Sequence, residues 1–270
     1  ITIEPGVEFL PALSPDGRDV AFVSGGQIVV RSVGYVPGQG EVRLGEPPPS
    51  RALMPSWTPD GSLVRFMACA GKNPCRWVMA PRTGGGLTSM GLPAGVPAGV
   101  RELAWSRDAD RIAFFRGDTL FVTEGRGAPQ AILAFDPGKR RYGDLHSPAW
   151  SPDGKRIAFV NGASHFAWVL DTDPSSLWVV DSNGADPVEI VGGDATQGSP
   201  TWLDDDNLLF VSNRDGPSAL YVVRVERRGT RGEPRLVPGI TDPHTISYSP
   251  STGRLAFSRF SNDRSIHSYP

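Results

Sequence analysis

The chain is short of the residues on which metal, redox and membrane functions depend. Among its 270 residues are two cysteines, four histidines and four methionines. No H-x-E or H-E-x-x-H spacing occurs, and a C-x5-C pair without companion ligands makes a poor zinc site, so no metal and no cofactor is expected. No G-x-S-x-G elbow is present, so any serine hydrolase chemistry would lie outside this chain. No apolar run approaches the ~20 residues of a membrane-spanning helix. Charge of one sign is also missing: 27 basic residues face 29 acidic ones, which leaves no electrostatic footprint for nucleic acid or an anionic membrane surface. No segment holds a 3.6-residue apolar period over three turns, and proline recurs too often for long helices. The chain begins at Ile1 with no Met, basic n-region or apolar h-region, and reads as a piece of a longer polypeptide or a mature form.

What is abundant is turn chemistry, with 32 glycines and 26 prolines, and behind it lies an internal repeat. The copies are PALSPDGRDVAFVS, PSWTPDGSLVRFMA, LAWSRDADRIAFFR, PAWSPDGKRIAFVN, PTWLDDDNLLFVS and ISYSPSTGRLAFSR. Their anchors, Leu13, Trp57, Trp105, Trp150, Trp202 and Tyr248, are spaced by 44, 48, 45, 52 and 46 residues. A Phe follows nine residues after each anchor, or eight in the fifth copy. Each unit reads as four strands. In the fourth, strand C is Leu177 to Asp181 and strand D is Pro187 to Val191, supported by alternation and β-branched content. Between strands A and B, Ser-Pro-Asp-Gly suits a tight turn, because Pro presets φ and Gly accepts a left-handed position. Asp16, Asp60, Asp108, Asp153 and Asp205 therefore read as scaffold rather than chemistry.

Six units of this size imply an all-β, six-bladed β-propeller of four-stranded antiparallel blades, a single domain over residues 1–270. Residues 1–4 resemble the segment leading into the sixth anchor. They are expected to pair with the last blade, 244–270, and close the ring.

The units resemble the TolB-type propeller repeat, with its P-x-W-S-P-D-G-x-x-I-A-F signature, over nearly the whole chain. The opening EPGVEFLPALSPDGRDVAFVS is also similar to the C-terminal sensor propellers of bacterial serine/threonine kinases and winged-helix regulators. These resemblances imply a non-catalytic binding or sensor module of a bacterial envelope or signalling protein, in a periplasmic or extracytoplasmic setting. Similar repeats form the substrate-gating propellers of prolyl oligopeptidase-like hydrolases, the alternative reading, beside a TolB-like Tol–Pal component. The sequence lacks TolB's N-terminal α/β domain. Units three, five and six depart from the turn motif, so their turns are expected to differ locally.

Function is expected at the loops that lead into the inner strands, around the channel mouth. The polar residues there are Glu8, Arg101, Glu102, His146, Gln197 and His244, either a convergent site for a small polar ligand or peptide end, or an ordinary solvated rim. In the long loop of the fourth unit, His165, Phe166 and Trp168 form either a protein-binding hot spot or an apolar segment folded back on the blade. A protein or peptide partner is expected, with a small ligand as the other option. Cys69 and Cys75 flank a hairpin turn and are either a disulfide or two reduced thiols.

Overall fold

The structure, a computed structural model, describes residues 8–34, 40–47, 50–71, 74–97, 99–100, 102–139, 144–162, 173–226, 229–230 and 232–259. Five antiparallel blades follow one another along the chain. The first holds β1 (Glu8–Leu13), β2 (Asp19–Ser24), β3 (Gln27–Ser32) and β4 (Val42–Leu44). The second holds β5 (Arg51–Trp57), β6 (Leu63–Cys69), β7 (Arg76–Pro81) and β8 (Thr88–Ser89). The third holds β9 (Leu103–Trp105), β10 (Arg111–Arg116), β11 (Thr119–Glu124) and β12 (Gln130–Ala134). The fourth holds β13 (Asp144–Trp150), β14 (Arg156–Gly162), β15 (Ser176–Asp181) and β16 (Val188–Val191). The fifth is built from β17 (Gln197–Trp202), β18 (Asn207–Ser212) and β19 (Ala219–Glu226), with β20 (Gly229–Thr230) on the tip of β19 and β21 (Arg235–Thr241) along its body.

The expectation of six four-stranded blades is not met: the described residues form five. The sixth repeat supplies a two-stranded hairpin, β22 (Pro243–Ser249) and β23 (Arg254–Arg259). The sequence count followed the A–B turn and its two flanking strands, and that pair forms in every unit. A blade also needs strands C and D. Residues 1–4, expected to complete the last blade, lie outside the described residues, as do residues 260–270. Phe257, at the repeat position of four completely buried phenylalanines, is 38% exposed. The two ends of the described chain contact each other directly. The Leu10 N–H donates to Thr245 Oγ1 at 3.2 Å, the Leu13 N–H to Ser247 Oγ at 3.0 Å, and Arg254 Nη1 to the Gly17 carbonyl at 2.6 Å. Leu13, Val20 and Phe22 of the first blade pack on Ala256 of the hairpin, and Leu209, Val211 and Leu220 of the fifth pack on Ile246.

The cores lie between blades. Ala158, Val160, Leu177 and Val179 of the fourth blade meet Trp202, Phe210 and Tyr221 of the fifth. Phe66, Phe114, Phe159 and Phe210 have no exposed surface, and burying each stabilises the ring by about 1.5–3 kcal/mol. The anchor tryptophans add a directional bond. Trp57, Trp150 and Trp202 each donate their indole N–H to the carbonyl just before the preceding anchor position, at Ala12 (2.9 Å), Ala104 (3.0 Å) and Ala149 (3.1 Å). Burial of a Trp is thereby combined with satisfaction of its polar edge.

The A–B turns explain the repeated Ser-Pro-Asp-Gly. In the first blade the Ser14 hydroxyl donates to Asp16 Oδ1 (2.6 Å) and accepts the Asp19 N–H (2.9 Å), while the Arg18 N–H donates to the same carboxylate oxygen (3.1 Å). Thr58, Ser106 and Ser151 repeat this arrangement with Asp60, Asp108 and Asp153. The closing glycine has positive φ, +66° at Gly154. The third turn does not differ as expected. Ala109 takes φ +59° and donates its N–H to the Ser106 carbonyl at 2.8 Å, as Gly154 does to Ser151 at 2.9 Å. The hydrogen-bond frame holds alanine in a conformation that glycine would adopt more easily.

Candidate functional site

Each blade's first strand is paired on one side only, and β1 contacts β5 and β22, β13 contacts β9 and β17, and β17 contacts β22. In β1, β5, β13, β17 and β22 the pairing register slips in the middle of the strand, a β-bulge. In four of these strands the residue three before the anchor has positive φ: Leu10 (56°), Met54 (57°), Ser147 (52°) and Ser199 (51°). Side-chain-bearing residues enter this region at a cost of order 1–2 kcal/mol each. Four occurrences at one repeat position mark an architectural device, since bulges re-aim side chains at barrel and propeller rims. This repeat position carries Leu10 and Met54 in the first two units and Glu102, Ser147, Ser199 and Thr245 in the other four.

The polar members tie neighbouring units together. Glu102 accepts a short hydrogen bond from the Ser147 N–H, and Ser199 Oγ accepts the Ile246 N–H at 3.0 Å. Thr245 Oγ1, which receives the Leu10 N–H, also bonds Ser258 Oγ at 2.7 Å. Backbone donors in the bulges of β1, β13 and β22 thus find acceptors on the preceding unit.

Five of the six residues expected at the mouth lie among the described residues. Glu102 and His146 come close through Ser147, whose hydroxyl lies 2.9 Å from His146 Nδ1, but the His146 side chain is buried. Glu8 lies 3.6 Å from the completely buried Arg31, which Glu41 also grips at 2.7 and 2.9 Å. Gln197 is buried and accepts from Arg214 Nη2 at 3.3 Å. His244 stands half-buried in β22. Arg101, His165, Phe166 and Trp168 lie outside the described residues. Cys69 and Cys75 are joined in a disulfide across the β6–β7 turn.

Two features went unread in the sequence. Arg214 is stacked 5.3 Å from the Phe210 ring and 5.1 Å from Tyr221, whose hydroxyl donates to Asp215 at 2.7 Å. Burial, then the Asp215 carboxylate, pushes the Tyr221 phenol up to about 12. The N-R-D-G hairpin turn was the available signal for this arrangement. On the opposite face, a cleft of about 570 Å³ opens between the fourth and fifth blades, lined by Lys155, Arg156, Asp181, Asn183, Asp206 and Arg224 among others. It lies beside the shortened fifth turn. Arg156 spans it, 5.2 Å from the Trp202 ring, and bonds Asp206 at 3.1 Å. Among the described residues, no three His, Cys, Asp or Glu side chains gather to hold a metal ion, and no helix is long and apolar enough to cross a membrane.

The fold is that of an all-β propeller. No family model matches the chain, and no curated protein matches it. Solved structures do. A protein assigned to TolB from Agrobacterium tumefaciens superposes with a TM-score of 0.68 at 18% identity, over 95% of this chain and 92% of that one. TolB from Acinetobacter baumannii superposes at 0.57 with 16% identity, covering 87% of this chain and 58% of that one. A puromycin-hydrolysing peptidase of Mycobacterium tuberculosis superposes at 0.56 with 17% identity, covering 93% of this chain and 43% of that one. At these identities the likeness is one of fold: a TolB-like propeller module.

Proposed function

We propose that the chain is a single, non-catalytic binding or sensor domain that captures a protein or peptide partner at its channel mouth. It would act within a larger bacterial envelope or signalling protein, in a periplasmic or extracytoplasmic setting. The observation that carries this reading is the repeated inner-strand bulge, which accepts backbone strain in four blades to present one apolar and one polar half-ring at a common level. A rigid rim of this kind positions an extended ligand without chemistry of its own. A nidogen propeller was solved in complex with laminin, a case of this fold engaging a protein.

The test is site-specific photocrosslinking in the host periplasm. A benzoylphenylalanine is placed at Ser147 or Ser199 and, as control, at Asn183 on the opposite face. Defined adducts from the first two positions, with those from Ser199 lost when Ser147→Trp is added to plug the mouth, support the reading. Adducts from Asn183 alone, or none above the unirradiated sample, overturn it. A second reading, a propeller that gates substrate for an adjoining hydrolase, is favoured by the match to less than half of the peptidase chain. Sequencing the complete reading frame separates the two.

A further inference from the structure

The interface between the second and third blades breaks the pattern of its neighbours. Strand B of the first, third, fourth and sixth units places Ala21, Ala113, Ala158 and Ala256 at one position, where the second unit has Arg65. Arg65 is 4% exposed. Its Nη2 donates to the Trp57 carbonyl at 2.5 Å, and its guanidinium lies 4.4 Å from the ring centroid of Trp105 in the next blade. Three buried polar atoms at this interface have no hydrogen-bond partner among the described residues: Arg65 Nε, Trp105 Nε1 and Ser56 Oγ. Register brings them together. Ser56 is directly opposite Arg65 across the β5–β6 ladder, so both side chains leave the same face. Trp105 approaches that face, and the carbonyl its indole would use by analogy with the other anchors belongs to Ser56.

These atoms share one chemistry. The Arg65 and Trp105 nitrogens only donate, and the Ser56 hydroxyl can donate. The guanidinium forms no ion pair among the described residues. Asp60 acts on it only through space, its carboxylate being held by Thr58 and Ser62. Burial lowers the Arg65 pKa to about 10, so the group stays charged at neutral pH. A buried cation beside two unanswered donors calls for a negative acceptor. A water molecule would accept from the two nitrogens but leave the charge uncompensated.

We propose that this interface binds a small monatomic anion, chloride in ordinary buffers, held by Arg65 Nε–H, Trp105 Nε1–H and Ser56 Oγ–H. The test uses the whole chain crystallised in sodium bromide, with data collected at the bromine edge. Melting is measured in parallel in sodium chloride and in sodium gluconate at equal ionic strength. An anomalous peak among the three groups is expected. Halide should raise the melting temperature by roughly 2–3 °C per tenfold increase above its dissociation constant. Arg65→Ala, which restores the residue used by the other units, should abolish both signals. Ser56→Ala, which leaves the cation in place, should weaken the halide dependence. A peak without anomalous signal would identify an internal water and overturn the proposal, as would identical melting in the two salts.

Discussion

Glycine in the repeated turn has two separable duties, and substitution can weigh them. Gly61 and Gly154 occupy the same turn position, at φ +68° and +66°. A Cβ added at Gly61 would meet only Pro15 Cδ at 3.5 Å, an ordinary contact. One added at Gly154 would collide with the Arg111 guanidinium, which stacks 4.6 Å from the Trp150 ring centroid. The positive-φ penalty for alanine is about 1–2 kcal/mol, offset by roughly 0.5–1 kcal/mol because glycine loses more backbone freedom on folding. Gly61→Ala should therefore cost about 0.5–1 kcal/mol. Gly154→Ala adds the displacement of Arg111 from Trp150, about 0.5–2 kcal/mol, and should cost about 1–3 kcal/mol. In an Arg111→Ala background its cost should fall to that of Gly61→Ala. Ala109→Gly, the reverse change in the third turn, should stabilise by about 0.5–1 kcal/mol. Urea unfolding of these variants, with unchanged m-values, gives the numbers. Equal costs at Gly61 and Gly154 would refute the stacking argument, and a destabilised Ala109→Gly would refute the shared turn geometry.

Trp202→Phe leaves the Ala149 carbonyl without its indole donor and should lower stability by about 1–2 kcal/mol in the same assay. Glu102→Ala should cost about 1–3 kcal/mol because the Ser147 N–H loses its acceptor, while Glu102→Gln, which retains a carbonyl, should cost less. Acid should loosen the turns. Hydrogen bonds from Thr58 and Ser62 hold the Asp60 carboxyl at about 2, and those from Ser14 and Arg18 lower Asp16. Burial raises Asp153, but bonds from Ser151 and Lys155 outweigh it and leave it lowered. These groups are depressed in the folded state. Their contribution is full above the ordinary carboxylate value near ~4 and is lost as pH falls toward about 2. Melting temperature followed from pH 5 to 2 should drop across that window, less steeply for Asp60→Asn. Replacing both Cys69 and Cys75 with serine should cost at most about 2 kcal/mol, since the closed loop is short.

The local grammar of this protein was legible in its residues. Turn, anchor and strand B recur together, and in the fourth unit strands C and D fall at Ser176–Asp181 and Val188–Val191, close to where alternation put them. The surroundings of the expected mouth residues were less legible. Arg31 and Arg214, each in the same blade as its partner, bind Glu8 and Gln197. Nothing in the residues next to Glu8 or Gln197 announces an arginine from elsewhere in the blade.

The blade count failed for a related reason. Periodicity reports hairpins, whose partners are a few residues apart, and each of the six A–B hairpins is present. Whether a hairpin becomes a blade depends on the two strands that follow it, and after the sixth hairpin the described residues end at Arg259. How the ring's ends meet depends on contacts such as Leu10 with Thr245, which lie at opposite ends of the sequence. The same holds for the strained inner-strand position. Leu10, Met54, Ser147 and Ser199 share no side-chain chemistry, so no residue pattern marks the bulge. The sequence by itself determined the repeating turn-and-strand unit, because that unit is stabilised by bonds among near neighbours. Only the tertiary structure decided the number of blades, the polar half-ring and the buried charge beside Trp105, because each arises where separate units press their faces together.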